Sequence, residues 1–223
     1  MAYDYDKDFV TPSATALHLA GFHRARLKGY AQLANRHFHH WQLWLDVGCH
    51  CGHFFRFLPH SGGSRLGGDV ATHALAYAKK QQPQVHWVCM SATDLALPDG
   101  RCQVVSLLEL LGLLSPAQQK GVLAETRRVL QPGGWLLVAI PMGQNSQLMN
   151  EESLHQLLAN DFILMEKQYY SFYYFEGITQ KLRPWRDRLD YYSHILALFI
   201  NTPPPLRPAC CGKYYYFAPA TFL

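Results

Sequence analysis

Apolar positions fall into short blocks whose spacing changes along the chain. From Thr15 to Phe38, Leu17, Leu19, Phe22, Leu27, Tyr30, Leu33 and Phe38 are interleaved with polar residues at helical spacing, which predicts one or two amphipathic helices. The period shortens at Trp41. Leu43-Trp44-Leu45 runs into Asp46-Val47-Gly48-Cys49-His50-Cys51-Gly52, the pattern of a buried strand ending in a glycine-containing turn, with a helix starting near His53. Arg65–Val70, Val85–Cys89, Val104–Leu108 and Trp135–Ile140 are four further strand candidates. Helical stretches at 71–81 and 116–130 separate them, the second stopped by Gln131-Pro132-Gly133-Gly134. Such alternation predicts an α/β fold with a doubly wound, mostly parallel sheet, and it places ligands at the carboxyl ends of the strands.

Past Ile140 the reading becomes looser. Glu151–Asn160 predicts a helix, and Phe162–Phe175 and Lys213–Phe217 look like two aromatic strands able to pair. An insertion at 176–212 lies between them, with an apolar helical stretch at 190–200 followed by Pro203-Pro204-Pro205. The chain thus reads as a single domain over 1–223: an N-terminal helical cap at 1–40, a ligand-binding core at 41–141, and a C-terminal part at 142–223 carrying the insertion before the last strand.

Composition narrows the function classes. With 223 residues, 49% of them hydrophobic and 16% charged, the chain can bury one sizeable core. A formal net charge of +4 is too small for a polyanion-binding footprint, so nucleic acid is not an expected partner. The acidic start, Met-Ala-Tyr-Asp-Tyr-Asp, does not read as a secretory leader, and the longest apolar runs fall short of the roughly 20 residues a bilayer requires; a cytoplasmic protein without a membrane span is expected. Cys49-His50-Cys51-Gly52-His53 has metal-ligating side chains, but groups so close in sequence rarely converge on one zinc, and no metal is expected.

Two carboxylates carry the chemistry. Asp46 stands at the start of the glycine turn, and Asp69, at the end of the next strand, is placed to accept hydrogen bonds from vicinal ribose hydroxyls. Together they suggest a nucleoside site. Neither a Walker A sequence nor an intact G-x-G-x-x-G accompanies them, which disfavours a triphosphate or a dinucleotide.

With these motifs in order, residues 43–141 resemble the class I S-adenosylmethionine-dependent methyltransferases of the type 11 group. Leu45–Gly52 resembles the family's first motif and Gly67-Gly68-Asp69-Val70 its ribose-binding strand end. Ser91-Ala92 with Leu97-Pro98-Asp99-Gly100 is similar to its adenine loop, and Leu130–Trp135 to its turn before the fifth strand. The resemblance implies a Rossmann-like sheet of about seven strands with the last antiparallel. It also implies S-adenosyl-L-methionine as cofactor, with S-adenosyl-L-homocysteine as product, and methyl transfer to O, N or C of a small apolar or aromatic acceptor.

Carried over by position, Asp46, Gly48, Cys49 and Gly52 would surround the methionyl part, Asp69 the ribose, and Val70, Ser91 and Ala92 the adenine, while Leu107 and Leu108 would flank the sulfonium. Glu109 and His194 are the candidate catalytic residues, and Tyr5 and Tyr173 the candidate substrate contacts. Three positions depart from the pattern: His50 replaces the middle glycine, Ser91 an acidic residue, and Gln103 the aspartate before strand four. A tRNA or protein methyltransferase docking through Lys181, Arg183, Arg186 and Arg188, or a non-catalytic binding subunit, are the alternatives; a monomer or homodimer fits any of them.

Overall fold

A computed structural model describes residues 21–59, 63–142, 149–171 and 193–201. Its centre is a seven-stranded sheet formed by β1 (Leu43–Val47), β2 (Ser64–Asp69), β3 (His86–Cys89), β4 (Cys102–Leu108), β5 (Leu130–Met142), β6 (Phe162–Ser171) and β7 (Ser193–Asn201). The order across the sheet is β3-β2-β1-β4-β5-β7-β6. Strands β1 to β5 are parallel, whereas β7 runs antiparallel to both β5 and β6. The direction of winding reverses between β1 and β4, so the crevice outside their carboxyl ends is where a doubly wound sheet opens to a ligand.

Alternation along each strand sorts the apolar side chains onto two faces. Leu45, Val47, Val105, Leu107, Leu136, Val138 and Ile140 pack with helix α3 (Pro116–Val129) and helix α4 (Glu151–Leu158). Trp44, Val104, Leu137 and Ala139 pack on the other face with Tyr30, Leu33 and Ala34 of helix α1 (Gly21–His37) and with Phe54 and Phe55. Helix α1 is therefore a packing layer of the sheet. Helix α2 (Thr72–Gln81) follows β2 and turns Ala74, Leu75 and Ala78 inward. Ser115 and Gln118 form a capping box at the start of α3, with Pro116 in its first turn.

Two expectations need correction. The helix expected near His53 is a five-residue 3-10 turn, His53–Phe57. Pro59 biases the residue before it toward extended backbone, and Leu58, at φ −84° and ψ 147°, has already left the helical region. The apolar stretch 190–200, read as a helix inside an insertion, instead contains strand β7, which enters the sheet between β5 and β6. β-Branched and aromatic residues in His194-Ile195-Leu196-Ala197-Leu198-Phe199-Ile200 suit a strand flanked on both sides. Strand β6 thus pairs with β7, and Lys213–Phe217, its expected partner, lies outside the described residues.

Candidate active site

The loop after β1 sits at the switch point. Gly48 and Gly52 have positive φ, 71° and 64°, and so does His50, at 47°. Both positions favour glycine for their left-handed conformation, and Gly52 also for space, since a Cβ there would overlap the Trp87 ring, whereas one on Gly48 would meet only the end of the Leu110 side chain, at 2.9 Å. His50 takes a left-handed conformation that a non-glycine residue adopts at a cost of order 1–2 kcal/mol. Its backbone N–H donates to Asp69 Oδ2 at 2.7 Å, which helps to hold it there.

Most N–H groups of this turn are already engaged by the chain. Those of Gly48 and Cys49 donate to the Gly68 carbonyl at 2.8 and 3.2 Å, that of His50 to Asp69, and that of Gly52 to the Cys49 carbonyl at 2.8 Å. The turn is therefore unlike a phosphate cradle, whose N–H groups face the ligand. It offers close approach beside carboxylates, which suits a cationic group.

Asp69 fastens the turn to the end of β2. Its Oδ1 accepts from the Ala71 N–H at 2.8 Å while Oδ2 accepts from His50. A carboxylate oxygen has about two lone-pair directions, so one on each remains, the arrangement a vicinal diol would engage. Val70 beside it is 52% exposed at the strand end, an apolar surface on which a flat base could lie. Ser91 and Ala92 follow β3. The Ser91 hydroxyl is hydrogen-bonded to Thr93 Oγ1 at 2.8 Å and is exposed.

Asp46 is buried and receives the Ser106 hydroxyl at 2.5 Å; Ser106 Oγ in turn accepts from the Trp44 indole N–H at 3.1 Å. Burial pushes the Asp46 carboxyl up to about 7; the Ser106 hydrogen bond opposes the rise and the nearby Asp69 charge adds to it. Burial also raises the Cys49 thiol well above its ordinary value and the Cys51 thiol to about 12, so both stay protonated near neutrality and neither is an activated nucleophile. Among the described residues no group of three or more His, Cys, Asp or Glu could hold a metal ion.

A pocket in front of the turn is lined by Arg26, Leu27, Asp46, Gly48, Cys49, His50, Cys51, His53, Phe54, Leu108 and Glu109. Of the two leucines expected near a sulfonium, Leu108 faces this pocket; Leu107, on the opposite face of β4, is fully buried in the sheet core. Glu109 stands at the mouth of β4, where Arg26 Nη1 donates to Oε2 at 2.8 Å and the Tyr30 hydroxyl to Oε1 at 3.0 Å. Burial raises the Glu109 carboxyl, and Arg26 and Tyr30 partly oppose that rise.

Sequence reasoning missed Arg26, Leu27 and Tyr30, which lie about 80 residues before Glu109 on a helix read only as amphipathic. It also missed His53 and Phe54 as pocket residues. His194 lies on β7, its backbone paired with Pro141 and Tyr170. Tyr5 and Tyr173 lie outside the described residues, as does the cluster Lys181, Arg183, Arg186 and Arg188. Gln103 has become a structural residue whose side-chain carbonyl accepts from the Gln42 N–H. No helix among the described residues is long and apolar enough to cross a membrane.

Comparison with known proteins points the same way. Residues 45–134 match a family model described as a methyltransferase domain. The chain is 31% identical over 132 residues to an uncharacterized methyltransferase of Synechocystis, an alignment covering 52% of this chain and 60% of that protein. It is 33% identical over 91 residues to the biotin biosynthesis bifunctional protein BioHC of Cellvibrio japonicus, covering 40% of this chain and 18% of that one. The chain thus spans less than two thirds of the length of these curated relatives. Among solved structures, the N-methyltransferase NodS of Bradyrhizobium japonicum, in complex with S-adenosyl-L-homocysteine, superposes with a TM-score of 0.70 at 16% identity, over 88% of this chain and 96% of that one. At that identity the likeness is one of fold.

Proposed function

We propose that the chain is an S-adenosylmethionine-dependent methyltransferase acting on a small acceptor, a reading supported by the match of residues 45–134 to a methyltransferase domain model. The observation that carries this reading is the left-handed Gly48–Gly52 turn tied to Asp69, with most of its N–H groups engaged internally and carboxylates around it. That arrangement suits a cationic methionyl sulfonium joined to a ribose and is poorly suited to phosphates. Asp69 holds the ribose hydroxyls through its two remaining lone-pair directions. Val70, Ser91 and Ala92 flank the adenine. Asp46, Gly48, Cys49 and Gly52 surround the methionyl part, and Leu108 closes the apolar side of the transfer point.

When bound, the cofactor supplies a methyl group already activated by a positively charged sulfur. What remains for the chain is to align the acceptor, exclude water and, where the acceptor carries a proton, remove it. Leu27, Phe54 and Leu108 provide an apolar wall for the first two tasks. Glu109 is the group placed for the third, with a carboxylate held by Arg26 and Tyr30 in the same pocket.

Calorimetric titration with S-adenosylmethionine and S-adenosylhomocysteine tests this reading. Micromolar binding is expected, and Asp69→Ala should weaken it by at least about 100-fold, near 2.7 kcal/mol. Absence of binding to the wild-type chain would overturn it.

A further inference from the structure

Near the end of α3, the Arg128 guanidinium is wholly committed to its surroundings. Nε and Nη2 donate to the two Glu125 carboxylate oxygens at 2.7 Å each. Nη1 donates to the Leu97 carbonyl at 2.7 Å and to Asp99 Oδ1 at 2.8 Å, and Nη2 also to the Leu95 carbonyl at 2.9 Å. These hydrogen bonds use every N–H that a guanidinium carries. Two main-chain groups add to the fastening: the Leu95 N–H donates to Glu125 Oε2 at 2.8 Å, and the Gly100 N–H to the Arg128 carbonyl at 2.8 Å. Earlier on the same helix Gly121 lies against Thr93, where a Cβ would stand 3.2 Å from the threonine methyl. Positions 121, 125 and 128 share one face of α3, so the segment joining β3 to β4 is attached to that face from Thr93 to Gly100.

Taken singly, these ion pairs would contribute little, since 31% of the Arg128 side chain is accessible to solvent. Geometry is what sets Arg128 apart. A planar fork that grips a carboxylate with two N–H groups and main-chain carbonyls with the others holds a loop in one conformation, which the point charge of a lysine does not. The loop so held begins with Ser91 and Ala92, the residues assigned to the adenine above. Ser91 offers the base no carboxylate, and its hydroxyl is engaged with the Thr93 hydroxyl and N–H. The hold on the base therefore depends on where the loop stands, and α3 sets that from outside the pocket.

Resting on the cofactor reading above, we propose that Arg128 is a positioning residue for base recognition: it fixes the loop 91–100 against α3 and so determines how tightly the base of the nucleoside is held, without touching the ligand. Glu125 aims the guanidinium through its two oxygens, and the Leu95 and Leu97 carbonyls with Asp99 are the points on the loop that it grips. The methionyl and ribose contacts, made from the Gly48–Gly52 turn and Asp69, do not depend on this fastening.

The test compares two probes on the full chain by calorimetry: S-adenosylhomocysteine, and S-ribosylhomocysteine, the same molecule without its base. In the wild type the base should improve affinity at least about 100-fold. In Arg128→Gln that factor should shrink at least about tenfold while affinity for S-ribosylhomocysteine stays within about threefold. Arg128→Lys, which keeps the charge and loses the fork, should behave nearly as Arg128→Gln does. A residue that only stabilised the fold would shift both probes together or neither. Equal binding of the two probes by the wild type, a loss shared equally by both probes in a variant, or an undiminished base factor in both variants would therefore overturn the proposal and leave the cofactor reading standing. Failure of both variants to fold would assign Arg128 to the whole domain and overturn it as well. Failure of the wild type to bind S-adenosylhomocysteine would overturn the cofactor reading with it.

Discussion

Asp46 shows how a single buried carboxyl connects stability to ligand binding. Its folded-state value near 7 lies above the ordinary 3.8, so between those limits the folded chain holds a proton that the unfolded chain has released. Its contribution to stability is therefore fully present below about pH 4, is lost as pH rises toward 7 and is flat beyond; 3.2 pH units correspond to a ceiling on the order of 4 kcal/mol. Urea denaturation at pH 4.5 and 7.5 should show this decline shrinking in Asp46→Asn relative to wild type. A bound cation would favour the ionised form, so S-adenosylmethionine should bind more tightly at pH 8 than at pH 6 and release protons at pH 6, measurable by calorimetry in buffers of different ionisation enthalpy. Gly52 gives a sharper test of packing. Gly52→Ala places a methyl inside the Trp87 ring volume at a left-handed position, and a loss of about 2–3 kcal/mol is expected in the same urea experiment.

Strands β1 to β5 and helices α2 and α3 were legible because their patterns are local: short apolar blocks alternating with helical stretches, and the Gln131-Pro132-Gly133-Gly134 stop after α3. Asp46 and Asp69 were equally legible, since both stand at strand ends that those patterns define. Strand β7 was not. A seven-residue apolar run has neither helical nor alternating period, and its strand identity comes from neighbours on both sides. The same holds for the 3-10 turn after Gly52, where the glycine motif suggested a helix and Pro59 shortened it. Arg26 and Tyr30 were hidden for another reason, because what they do depends on a partner about 80 residues away. Helix α3 offers a control for these inferences: Ser115→Ala should lower stability by about 1 kcal/mol in urea without altering affinity for S-adenosylhomocysteine, because the cap lies outside the pocket.

The two apolar layers flank one crevice, between β1 and β4, where the Gly48–Gly52 turn, β2 and α1 converge, and where the proposed ligand would bind. Binding there would engage the folded chain only, and would therefore raise the stability of the whole domain. At a ligand concentration 100 times Kd the gain is about 2.7 kcal/mol, a rise in Tm of roughly 5–10 °C for a chain of this length. Thermal denaturation with and without S-adenosylhomocysteine should show that rise in the wild type and its loss in Asp69→Ala.

The placement of β7 also sets a timetable for synthesis. Strands β1 to β5 emerge first, yet β5 has no neighbour on its outer side until residues 193–201 arrive, and eight of its residues, Trp135–Met142, are paired there in the finished sheet. During that interval the nascent chain carries an open edge, and β6, which leaves the ribosome before β7, is the nearest strand able to occupy it wrongly. Any pause in translation between 171 and 193 lengthens the exposure, which makes this stretch the one where codon speed and chaperone access should matter most to the yield of correctly ordered protein.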